Sequence, residues 1–108
     1  MNISDDEVEK ALRYLATSAA DYSKARGLVV WLEGSQRIIE AEAFSRMTGT
    51  MDERKSQSRI TPEYKENLDK YRDAVCACEH IRALRDAAET RIRVWQTWQA
   101  TLRSVNVS

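Results

Sequence analysis

Turn-forming residues are scarce: the 108 residues contain one proline, Pro62, and three glycines. So few breakers exclude the repeated tight reversals that a β-sandwich or barrel needs. Aromatics are sparse at 7%, against 31% charged residues, a balance that suits amphipathic helices better than sheets. Cysteine is limited to Cys76 and Cys78. Two positions apart on a helix, their side chains point roughly 200° away from each other and cannot form a disulfide, which fits a reducing cytoplasm. Neither sign of charge is in excess, since 17 basic and 17 acidic residues cancel. That argues against nonspecific nucleic-acid binding as the whole function, because such affinity comes mostly from neutralising phosphates, and leaves room for a local basic strip. Long apolar runs are absent too. The longest, Leu28 to Leu32, is far short of the ~20 residues a membrane span requires. The acidic start, Asp5-Asp6-Glu7, has no basic and apolar leader, so the expectation is a cytoplasmic protein with no membrane partner.

What the chain does have is one very long uninterrupted stretch. Thr61 is a favoured N-cap, and Pro62 suits the first helical position because the N–H it lacks would have no partner there. No glycine or proline follows, which predicts a helix over about 62–104, roughly 60 Å long at ~1.5 Å per residue. Upstream, Ser4 with Glu7 forms a capping-box pattern, and Val8, Leu12 and Leu15 follow at helical spacing. A short first helix is therefore expected over about 4–16. Thr17-Ser18 interrupts it, and Ser18 with Asp21 offers a second N-cap. A second helix then runs over about 19–47, its apolar residues Tyr22, Ala25, Val29, Leu32, Ile39 and Ala43 near heptad spacing. Gly49 closes it as a left-handed C-cap. The connection 48–61 reads as a surface segment or a short extra helical turn.

The second helix also carries Ala20, Gly27, Gly34 and Ala41 seven residues apart. A glycine inside a helix costs roughly 1 kcal/mol against alanine, so the stripe predicts close packing of another backbone. The third helix can supply it with Ala74, Ala77, Ala83, Ala87 and Ala88, beside an apolar stripe that includes Leu68, Tyr71, Ile81 and Ile92. The expected fold is all-α: a single domain over 1–108, an elongated antiparallel hairpin of two long helices plus a short N-terminal helix, coiled-coil-like and dimeric. The unequal helix lengths leave the end of the third helix uncovered. Trp95, Trp98 and Leu102 become the candidate partner interface, and a homodimer the expected assembly.

No constellation specifies a reaction. His80 is the only histidine, and no nucleophile elbow or phosphate-binding glycine loop is present. The Asp69 and Asp73 pair reads as a solvated helix face. Cys76 and His80, at i and i+4, supply two metal ligands where a tetrahedral site needs four. Catalytic, cofactor and metal sites are accordingly expected to be absent. Arg82, Arg85, Arg91 and Arg93 are the candidate nucleic-acid contacts, with Trp95 or Trp98 as a stacking platform. Intrahelical ion pairs with Asp86 and Glu89 are the simpler account of Arg82 and Arg85.

The segments Gly49-Thr50-Met51-Asp52-Glu53-Arg54, Pro62-Glu63-Tyr64 and Ala88-Glu89-Thr90-Arg91-Ile92-Arg93-Val94-Trp95 resemble those of a group of small, helical, uncharacterised proteins of tailed bacteriophages and prophages. Tyr14-Leu15-Ala16 and the helix after it are similar too, so the resemblance covers most of the chain. It departs at the end, where Arg103-Ser104-Val105 stands in place of a more arginine-rich tail. The resemblance implies a protein encoded near single-strand annealing or other DNA-recombination genes, and no catalytic residues. The expected function is a non-enzymatic accessory factor in phage DNA metabolism, bound to a phage or host protein in the bacterial cytoplasm. Direct binding of single-stranded nucleic acid is the first alternative, and inhibition of a host defence complex the second.

Overall fold

Three capped starts and one left-handed glycine divide the chain into helices. The computed structural model of the protein describes residues 3–107. Helix α1 (Asp5–Arg46) opens where the Glu7 N–H donates to Ser4 Oγ at 3.2 Å, and three acidic residues in its first turn suit the positive end of its dipole. Helix α2 (Met51–Ser58) starts on a full capping box: Thr50 Oγ1 accepts from the Glu53 N–H, and Glu53 Oε2 accepts from the Thr50 N–H. Helix α3 (Pro62–Val107) begins as the Thr61-Pro62 step predicts, with the Tyr64 N–H donating to Thr61 Oγ1 at 3.3 Å. No strand is present among the described residues.

The separate short N-terminal helix is not formed, because α1 runs without a break through Thr17 and Ser18. Both capping-type side chains find other partners. Thr17 Oγ1 donates to the Tyr14 carbonyl within the helix, and Ser18 Oγ accepts from Arg85. With its own N–H groups already paired along the helix, the backbone gains nothing by opening. The short element of the fold is α2, within the expected connection. Gly49 has φ 116, and a Cβ there would run into the Glu53 side chain that completes the cap. Gly49→Ala should therefore cost about 1–3 kcal/mol, seen as a fall of roughly 5 °C or more in thermal midpoint. An unchanged midpoint would show that the turn relaxes freely.

The chain folds as two compact units, residues 1–23 with 79–108, and residues 24–78. Each long helix contributes a segment to both. In the second unit, α1 and α3 reverse through α2 into a closed antiparallel hairpin. Its seam is built from residues spaced alternately three and four apart, the heptad signature: Ala25, Val29, Leu32, Gln36, Ile39 and Ala43 face Tyr64, Asn67, Tyr71, Ala74 and Cys78. The α2 helix is tied to the end of this hairpin by Arg54. Its Nη2 donates to the Phe44 carbonyl at 3.0 Å and its guanidinium lies 4.1 Å from the Phe44 ring centre. Arg59 adds an ion pair to Glu40 at 2.9 Å.

A polar pair sits inside that seam. Buried Asn67 donates through Nδ2 to the Leu32 carbonyl at 3.1 Å and to Gln36 Oε1, while Gln36 Nε2 donates to the Tyr64 carbonyl at 3.3 Å. A polar residue at a core position fixes register at some cost in stability. Asn67→Leu alone should destabilise by about 1–3 kcal/mol, since it leaves Gln36 Oε1 without its donor. Asn67→Leu with Gln36→Leu should recover that loss, because removing both partners of a buried hydrogen bond is nearly neutral. Chemical denaturation of the two variants measures the difference. A double variant no better than the single would show that the pair does not act as a unit.

Candidate interaction surfaces

In the first unit, α1 and α3 also run antiparallel, and two polar links fix how they align. Trp95 Nε1 donates to Asp5 Oδ1 at 2.9 Å, and Arg85 Nη1 donates to the Leu15 carbonyl at 2.8 Å. Stepping ten residues down α3 thus steps ten residues up α1. Trp95, expected as an interface residue, is instead half-buried in the seam, on the row of Ile81, Arg85, Ala88, Ile92 and Gln99. The reason is register: Trp95 stands opposite the first residue of α1. Beyond it α3 has run past the start of α1, and Trp98 and Leu102 remain 37% and 39% exposed, followed by Val105 at 65%. Their spacing of four and three keeps these three side chains on one face.

The four candidate arginines do not form one strip. Arg85 turns into the seam, where Nη1 also donates to Ser18 Oγ at 2.7 Å and the guanidinium lies over the Tyr22 ring. Its guanidinium is engaged within the chain rather than presented to a nucleic acid. Arg82 is exposed and pairs with Glu79 at 3.3 Å, rather than with Asp86 as the intrahelical account expected. The Glu79 carboxylate, through its charge and then its hydrogen bond, raises the Arg82 pKa above its ordinary value. Arg91 lines a groove with Glu7, Tyr14 and Leu84. Arg93 lies in a shallow depression with Trp98, Thr97 and Thr101. Helical spacing carries these side chains to different faces, which sequence proximity alone conceals.

The expected close packing at Ala20, Gly27, Gly34 and Ala41 is not formed. All four are exposed, and no atom comes within 4 Å of a Cβ built on Gly27 or Gly34. The physical reason is phase. Gly27 falls midway between the seam residues Ala25 and Val29, and Gly34 midway between Leu32 and Gln36. The glycine stripe therefore lies on the side of α1 opposite the side that meets α3. This outer face is nonetheless apolar. Trp31 and Ile38 are exposed on it, Trp31 to 67%, and Leu28 and Val30 are exposed on its two opposite flanks. Trp31, Gly34 and Ile38 border an open groove of about 660 Å³ that reaches Asn67 and Lys70 of α3. Counting apolar residues toward a single core missed this second stripe, although Gly27, Trp31, Gly34 and Ile38 repeat the same alternation of four and three.

Among the described residues, no group of three or more His, Cys, Asp and Glu side chains is placed to hold a metal ion, and no helix is long and apolar enough to cross a membrane. Cys76 is exposed and Cys78 buried in the seam, and both are free thiols. No protein-family model, curated protein or solved structure matches the chain.

Proposed function

We propose that the chain is a non-enzymatic helical interaction protein that works as a homodimer and docks on a phage or host DNA-metabolism protein in the cytoplasm of a bacterial cell. One observation supports the docking above all: the run of α3 past the start of α1, with Trp98, Leu102 and Val105 exposed on one face. Tryptophan surrounded by smaller apolar residues is the usual anchor of a protein contact. The phage and recombination setting rests on the resemblance of the Gly49 to Arg54, Pro62 to Tyr64 and Ala88 to Trp95 segments.

The test is capture by the tagged chain from nuclease-treated lysate of phage-infected cells, run beside a chain altered at Trp98 and Leu102. A recombination or replication protein held by the first and lost by the second supports the reading. A defence-complex component held instead would move inhibition to the front. Direct binding of single-stranded nucleic acid is the second reading, favoured by the shared depression of Arg93 and Trp98, where a base could stack beside a guanidinium. Titration with a single-stranded oligonucleotide at rising salt separates the two, because phosphate contacts weaken steeply with ionic strength while a tryptophan-centred protein contact does not.

A further inference from the structure

We infer that the outer face of α1 between Lys24 and Glu42 is where a second copy of this chain binds, antiparallel and two-fold symmetric. This rests on the homodimer reading above and assigns the surface that builds it.

The face is complementary to itself. Two-fold pairing reverses one helix against the other, so each residue meets one at the mirrored position. In the register that sets Trp31 on Gly34 of the second copy, Ile38 falls on Gly27 of the second copy, and both contacts repeat across the axis. Every large side chain of the stripe then meets a glycine, and every glycine receives a large side chain. That accounts for two helix-interior glycines with open space above them, which the chain alone gives no reason to keep.

Charge follows in the same register. Lys24 comes to lie beside Glu42 of the second copy, twice over by symmetry. Neither residue makes an ion pair within the chain among the described residues. Lys24 sits one turn from Asp21 of its own helix, so in the dimer it stands between two carboxylates.

The area is sufficient. Trp31 and Ile38 form the exposed centre of the face, Leu28 and Val30 stand on its opposite flanks, and closing two such faces with their flanks removes roughly 1,000 Å² from water, the threshold for a specific contact. The stripe lies wholly within residues 24–78, so the contact is made by one compact unit.

The test is sedimentation of the full chain from micromolar to sub-micromolar concentration. The parent is expected to be dimeric at the upper end. Gly34→Gln should be monomeric with undiminished helix content by circular dichroism, because a Cβ there meets nothing within 4 Å and glutamine is the better helix former. Trp31→Ala should weaken the dimer by about 30-fold or more, as expected of a central tryptophan. Lys24→Glu and Glu42→Lys should each weaken it about fivefold at low salt, and the two together should restore it. A parent that stays monomeric throughout overturns the homodimer itself. A dimer indifferent to Gly34→Gln and Trp31→Ala overturns this face and leaves the homodimer reading standing. Partner capture through Trp98 is read separately from either.

Discussion

The variant Arg85→Met is expected to melt roughly 10 °C below the parent chain. Arg85 occupies a core position of α3 and directs one nitrogen at two acceptors on α1, the Leu15 carbonyl and Ser18 Oγ. Hydrogen bonds from a charged donor contribute about 1.5–3 kcal/mol each. Methionine keeps most of the packing on Tyr22 and regains some apolar burial, which leaves a net loss of about 2 kcal/mol. A chain of about 100 residues shifts roughly 4–8 °C per kcal/mol. Calorimetry at fixed chain concentration measures the effect, and a midpoint within a degree or two of the parent would mean that Arg85 is solvated. The same variant bears on nucleic-acid binding: any loss on changing Arg85 would report lost structure, so Arg93 is the residue to alter when that activity is assayed.

Arg85 also shows what the sequence makes legible and what it hides. The all-helical class follows from the lack of breakers, and the Thr61-Pro62 start of α3 and the left-handed Gly49 follow from local chemistry alone. Each depends on one or two adjacent residues, so each can be read without knowing the packing. The break expected at Thr17-Ser18 fails for the opposite reason. A serine preceding a run of helical spacing is a cap only if its hydroxyl is free, and Arg85, 67 positions away, claims it. Ser18, Arg85 and Gln99 in one unit and Gln36 and Asn67 in the other keep the alternation of three and four of their own unit's seam, yet a search for apolar periodicity passes over them. Asking which polar residues keep the phase of Leu15, Leu32, Ala74 and Ala88 would have found them. The phase of Gly27 and Gly34 was equally readable. Placing them opposite Val29 and Leu32 turns an expected contact with α3 into an outward face.

Replacing Trp98 and Leu102 together by alanine is expected to reduce partner capture more than tenfold while leaving helix content and midpoint close to the parent. The two side chains lie one turn apart on the stretch of α3 that has passed the start of α1 and neither is buried, so truncating them leaves no enclosed cavity and removes only partial contacts within the chain. Alanine is the best helix former, which offsets what little intrahelical contact is lost. An exposed tryptophan that anchors a contact is worth about 2 kcal/mol or more, near 30-fold in affinity, and a leucine beside it adds to that. Trp95→Phe is the control. It removes the indole N–H that holds Asp5, so it should lower the midpoint by a few degrees and leave capture intact once the chain is folded. Capture that follows Trp95 and ignores Trp98 would place the partner on the start of α1 instead. Capture that survives all three changes would remove the end of α3 from the function altogether.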